Sequence, residues 1–177
     1  MVKPWSTKGV EGVYRFLGRV WRLFVDEQSE TEFEQSLTTD PQRGPELLAQ
    51  VRLAANIKEV PPAPPQLKAL HACIKKVTED LDGLRLNTAI SGLMIFINEA
   101  ITWETKPISV LRDCLILLQP FAPHLAEELW AKLHATPGPE RGHSCPPSTS
   151  SPPEADRNVC APTVPTLAYA PWPKFDP

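Results

Sequence analysis

The chain has no run of about 18 uncharged apolar residues, so no segment reads as a membrane-spanning helix. Its N-terminus, Met1-Val2-Lys3-Pro4-Trp5, lacks the apolar stretch of a secretory signal. It has no Cys-x-x-Cys spacing: four cysteines stand apart at positions 73, 114, 145 and 160. That spacing excludes the common zinc ribbons and dithiol redox motifs, and a reducing compartment is the default. His143, Cys145 and Cys160 are too few for a four-ligand zinc site, so no metal is expected. No stretch alternates apolar and polar residues over the length of a strand, which makes the expected fold all-α. A strong charge of one sign is missing too. The formal net charge is −3, so attraction to a polyanion has to come from a local basic face.

Proline is what the chain has in excess, with 21 among 177 residues against a usual share of about 5%. The prolines cluster, which marks linkers. Val60-Pro-Pro-Ala-Pro-Pro reads as a stiff extended connector. Residues 136–165 hold eight prolines, many serines and almost no large apolar groups. Such a segment buries too little surface to offset its ordering entropy and reads as a disordered Pro/Ser-rich insertion over 135–165.

The stretch from Leu115 to Leu133 organises the rest. An apolar helix stops at Pro120, and Pro123 opens a second helix at its first turn, where a missing N–H costs nothing. Leu125, Leu129 and Leu133 repeat at helical spacing, with Ala126 and Trp130 beside them. The partners for this stripe lie upstream. A first helix is expected over residues 6–28, capped by Ser6 or Thr7, with Val13, Phe16, Leu17, Val20, Leu23 and Phe24 on its stripe. Residues 28–39 are acidic and polar, a weak helix at best, and 45–60 reads as helical. Leu67, Leu70, Ile74, Val77, Leu81 and Leu84 predict a long helix from Pro65, stopped by Gly83. Asn87 is the expected N-cap of the next helix, whose stripe is Ile90, Leu93, Met94, Ile97 and Ile101. Pro107 opens the helix that runs into the kink. The architecture expected is a bundle of four main helices over 1–134, with 166–177 as an extended strip lying on it.

Three segments carry a family resemblance. They are Trp5-Ser-Thr-Lys-Gly-Val-Glu-Gly-Val-Tyr-Arg-Phe-Leu-Gly-Arg-Val-Trp-Arg-Leu; Arg85-Leu-Asn-Thr-Ala-Ile-Ser-Gly-Leu-Met; and Pro120-Phe-Ala-Pro-His-Leu-Ala-Glu-Glu-Leu-Trp, closed by Leu167-Ala-Tyr-Ala-Pro-Trp-Pro. Together they resemble bacterial-type leucyl-tRNA synthetase, a class I enzyme, over roughly residues 5–28, 66–134 and 166–177. The Pro-Phe-Ala-Pro-His segment is shared with the synthetases for isoleucine, valine and methionine; the Arg-x-Asn-Thr-Ala-Ile and Ala-Tyr-x-x-Trp-Pro segments favour leucine. The resemblance implies a helical anticodon-binding domain that supports a leucine-accepting tRNA by shape and backbone, beside a catalytic domain in cis. The HIGH-type and KMSKS-type signatures that bind ATP in the family are absent, so ATP and magnesium chemistry is expected in the parent's catalytic domain and no cofactor in this chain. The chain is then inactive alone, and starts just past where that domain ends. The compartment stays open between cytoplasm, plastid and mitochondrion.

The candidate tRNA-binding residues are the arginine stripe Arg15, Arg19 and Arg22, and the cations Lys75, Lys76 and Arg85. Helical spacing places the three arginines on one face. Glu11, one turn before Arg15, offers an ordinary i,i+4 pair as the alternative. Lysines off an apolar stripe are commonly just solvated. His124, Glu127 and Glu128 have no nucleophile beside them, and a local hydrogen bond accounts for them more simply than catalysis. Two rival readings remain: the same domain from an isoleucyl-, valyl- or methionyl-tRNA synthetase, and a non-catalytic helical protein-interaction module.

Overall fold

The helix Ile108–Leu118 is the axis of the fold, buried on nearly every side, with five consecutive residues from Cys114 to Leu118 withdrawn from water. A helix apolar on most of its circumference, here all but Ser109, Arg112 and Asp113, has to lie at the centre of a bundle. In the computed structural model, which describes residues 8–135 and 166–175, it is the sixth of seven α-helices among those residues. In chain order these are α1 (Lys8–Phe24), α2 (Glu27–Thr39), α3 (Gly44–Gln50), α4 (Pro64–Asp82), α5 (Leu86–Ile101), α6 (Ile108–Leu118) and α7 (Pro123–Ala135). The fold is all-α apart from two two-residue strands, β1 (Ile57–Lys58) and β2 (Lys106–Pro107), which pair in parallel.

α4 and α5 form a tight hairpin, α1 packs on α5, and α6 lies between α4 and α7. Phe16, Val20, Leu23 and Phe24 of α1 join Leu70, Ile74 and Val77 of α4, Leu93, Phe96 and Ile97 of α5, and Leu129 and Leu133 of α7 in one core. The expected kink is a clean break. α6 ends at Leu118, Phe121 and Ala122 N–H groups bond back to the Leu118 carbonyl, and Pro123 starts α7. Residues 166–175 lie against the bundle. Leu167 is buried in the core cluster, and the Trp172 indole donates to Thr78 Oγ1 at 2.9 Å.

Several expectations are corrected. α1 stops at Phe24 and not at 28, because Val25 enters an antiparallel bridge with Leu53 and the Asp26 carboxylate caps α2 through Ser29 N–H. That cap is why the polar segment 27–39 is a full helix. Val13 is half-exposed and off the core. The 45–60 segment is helical only to Gln50. Beyond it Val51, Leu53 and Ile57 turn inward from extended chain, pinned by the Leu53 bridge and by β1. Apolar side chains on extended chain and on a loose helical stripe share enough spacing to be confused there. Asn87 lies inside α5, which Arg85 precedes as N-cap. The α5 core face is Ala89, Leu93, Phe96, Ile97 and Ala100, leaving Ile101 exposed. Pro107 is the N-cap of α6, one position before its first turn. Gly83 follows α4 with φ −86, and Leu84, expected on the apolar stripe, takes the left-handed φ of 53 and is 84% exposed. The readings on Ser6, Thr7 and the 136–165 segment lie outside the described residues.

Candidate nucleic-acid interface

The six candidate cations fall on two parts of the bundle. Arg15, Arg19 and Arg22 run along α1. Arg15 Nη2 is 2.6 Å from Glu11 Oε1, and both side chains are about two-thirds exposed. Arg22 Nε is 3.8 Å from Glu30 Oε2 at the start of α2. Arg19 is half-buried, with its Nε withdrawn from water and unmatched by an acceptor among the described residues. The three arginines follow one another along α1, with Arg15 and Arg22 exposed and Arg19 half-buried. They are bordered by the acids of α2, among them Glu27, Glu30 and Glu34, which repel a polyanion at that edge.

Lys75, Lys76 and Arg85 belong to the α4–α5 hairpin. Lys75 is exposed, with its ammonium 5.9 Å from the Phe175 ring centroid. Lys76 and Arg85 converge on Asp80, whose side chain is 1% exposed. Lys76 Nζ is 2.9 Å from Oδ2, Arg85 Nε donates to Oδ1 at 2.9 Å, and Arg85 Nη2 donates to the Glu79 carbonyl at 2.9 Å. The Lys76 ammonium, with Arg85 and Thr88 adding, holds the Asp80 carboxyl down to about 2 against the burial that pushes it up. Asp80 is the functional candidate that sequence reasoning missed. Its signal was the i,i+4 spacing from Lys76, which alone is commonplace.

Other charged groups are committed to the scaffold. Lys106, 5% exposed, donates from Nζ to the Leu23 carbonyl at 3.2 Å, and burial lowers its pKa. Lys132 donates to the Leu48 carbonyl at 2.6 Å and the Val51 carbonyl at 3.3 Å. Glu127 accepts from Thr166 Oγ1 at 2.5 Å and from the N–H groups of Leu167 and Ala168. Glu128 is 3.4 Å from Lys132, and the hydrogen bond expected between His124 and Glu128 is not made. Among the described residues no three His, Cys, Asp or Glu side chains group as metal ligands, and no helix is long and apolar enough to cross a membrane. What the surface offers chemically is anion recognition by cations of two kinds, loosely paired on α1 and fixed at the α4–α5 turn.

The family model "anticodon-binding domain of tRNA ligase" matches residues 66–177. The leucine–tRNA ligase of Leptospira biflexa is 39% identical over 99% of the chain, and that of Chlorobium phaeobacteroides 36% identical over 94%. The ligase of Chlorobaculum parvum is 42% identical over 76%. The likeness to the first two therefore runs through the 29–60 region that the motif-level resemblance left out. The chain spans only 14–17% of the length of these relatives. With its helical bundle and the match over residues 66–177, the chain belongs to the anticodon-binding domain family of tRNA ligases.

Proposed function

We propose that the chain is the tRNA-facing helical domain of a leucine–tRNA ligase, holding a leucine-accepting tRNA while a catalytic domain in cis forms the aminoacyl ester. The observation that carries this is the 39% identity to a leucine–tRNA ligase across 99% of the chain. ATP and magnesium chemistry belongs to that catalytic domain, and the setting is cytoplasmic or organellar translation. Arg15, Arg19 and Arg22 meet tRNA phosphates along α1. Arg15 exchanges Glu11 for phosphate at little cost, because an exposed i,i+4 pair is worth only about 0.3–0.5 kcal/mol. Lys75, Lys76 and Arg85 supply contacts from the hairpin. Recognition of this kind reads backbone and shape and is weakened by salt.

Filter binding of labelled leucine-accepting tRNA at two salt concentrations tests it. Affinity should fall with salt. Replacing Arg15, Arg19 and Arg22 together by Gln should flatten that dependence by roughly 0.7–0.9 in log–log slope for each phosphate no longer neutralised. An undiminished slope removes the α1 arginines from the interface. No binding at low salt by a chain with full helical circular dichroism makes it an interaction module instead.

A further inference from the structure

The α4–α5 turn carries more construction than a helix connection needs. Asp80 is buried, yet the two cations it holds have side chains 51% and 55% exposed. Both rest on backbone left bare by glycine. A Cβ on Gly83 would lie 2.2 Å from Arg85 Nη1 and 2.7 Å from its Cζ, and a Cβ on Gly92 would lie 3.1 Å from Lys76 Cγ. The turn between them puts Leu84 at φ 53, a conformation L side chains rarely adopt. Arg85 Nε is spent on Asp80 and one Nη2 proton on the Glu79 carbonyl. A guanidinium has five N–H groups, so the Nη1 pair and one Nη2 proton remain for a planar two-point acceptor. Lys76 pairs with Asp80 Oδ2 by charge at 2.9 Å without hydrogen-bond geometry, so its ammonium protons stay available to an acceptor.

We propose that Asp80, Gly83 and Gly92 hold Arg85 and Lys76 as a fixed two-cation cradle for one phosphate of a bound RNA. Asp80 is a positioning residue, since it reaches the phosphate only through the cations. This rests on the tRNA-binding reading above and adds to it the residues that make two of its contacts rigid. A rigid guanidinium loses less conformational freedom on binding than a free one, which is the reason to anchor it.

The test is titration of leucine-accepting tRNA with the full chain and its variants at two salt concentrations. Circular dichroism melts are recorded beside each titration. K76Q and R85Q should each weaken binding about fivefold and each flatten the salt slope by roughly 0.7–0.9, as removal of one phosphate-neutralising cation does. D80N separates positioning from charge. It removes a negative charge, so bulk electrostatics alone would tighten binding; the cradle requires it to weaken binding. G83A keeps every charge and displaces only the guanidinium of Arg85, so it keeps the test open where D80N fails to fold, and it too should weaken binding. Variants with lower melting temperatures but the parent slope would make the cluster a helix stop and overturn the cradle. No RNA binding by the unsubstituted chain overturns the tRNA reading and the cradle with it, whereas a parent slope in K76Q and R85Q sinks the cradle alone.

Discussion

Raising the pH from 9 to 11 should destabilise this domain, and two thiols are the cause. Cys73 on α4 and Cys114 on α6 are both buried. Burial pushes Cys73 from its ordinary 9.0 up to about 12. It pushes Cys114 well above 9.0, with Cys73 and Asp113 adding to the rise. In the unfolded chain both thiols ionise near 9, so above that pH the unfolded state binds fewer protons than the folded one. Stability is then whole below pH 9 and lost as pH climbs toward the folded values, by about 1.4 kcal/mol per thiol per pH unit. Cys73 alone loses about 2–3 kcal/mol over two units, and Cys114 adds to that loss in the same direction. Lys106 works the other way. Its folded pKa lies below 10.5, so between that lowered value and 10.5 it gives back up to about 1.4 kcal/mol per unit. The Cys73 share alone is a sizeable part of a total domain stability of about 5–15 kcal/mol. Urea melts followed by far-ultraviolet circular dichroism under reducing conditions, at pH 8, 9, 10 and 11, read it directly. The Cys73→Ala, Cys114→Ala double variant should be less stable at pH 8 and lose far less on the way to pH 11. If parent and variant midpoints fall in parallel, the thiols are not responsible and the linkage argument is wrong.

Leu117→Ala, fully buried in the last turn of α6, should cost about 2–5 kcal/mol in urea unfolding without changing the helical spectrum at zero denaturant. Glu127→Ala should release residues 166–175, shifting Trp172 emission to the red and raising amide exchange at Leu167 and Ala168, because it removes the acceptor of three hydrogen bonds. Burial pushes the Glu127 carboxyl up, but the Thr166 hydroxyl and the Leu167 and Ala168 N–H groups outweigh it and leave it lowered. The strip's attachment should accordingly hold above the ordinary carboxylate range and weaken as pH falls through the folded value, in the parent but not in Glu127→Gln. Lys106→Ala should destabilise more than Lys106→Met, since both strand the Leu23 carbonyl but only alanine also leaves a cavity; equal midpoints would mean the lysine stem contributes no packing.

The elements that could be read from the residues are those whose packing follows a single period. α4 and the Pro120–Pro123 break follow from spacing and proline chemistry alone, and Val20, Leu23 and Phe24 from α1's stripe. What escaped reading depends on partners distant in sequence. Residues 51–58 leave the helix for a bridge, a turn and a short strand because Val25 bridges Leu53, Lys132 holds the Val51 carbonyl and β2 pairs with β1, none of which local pattern encodes. α5 buries small residues, Ala89, Gly92 and Ala100, where the hydrophobic pattern looks for large ones; α4 comes close there, and Lys76 and Val77 fill the space. Among the candidate cations, their grouping on α1 and on the hairpin was legible. Asp80 was not, because a carboxylate in a polar helix end gives no sign of being buried.

That blind spot bears on how a basic face is counted. Three cations terminate helices by taking carbonyls: Lys106 at the end of α1, Lys132 at the end of α3 and Arg85 at the end of α4. Cations there also suit the helix dipole. Lys106 and Lys132 are withdrawn from the surface by this, so they add nothing to a contact with RNA however large the formal charge they contribute. Arg15 is held by an exposed glutamate and can leave it freely. Lys76 and Arg85 cannot leave Asp80 without stranding a buried carboxylate, so any phosphate must come to them where they stand. In the proposed interface a chain of net charge −3 meets an anion not by excess of positive charge but by sorting its cations into buried caps, exchangeable pairs and one fixed pair. Mutations at the three kinds of site should separate accordingly: caps in stability alone, exchangeable pairs in affinity alone, and the fixed pair in both.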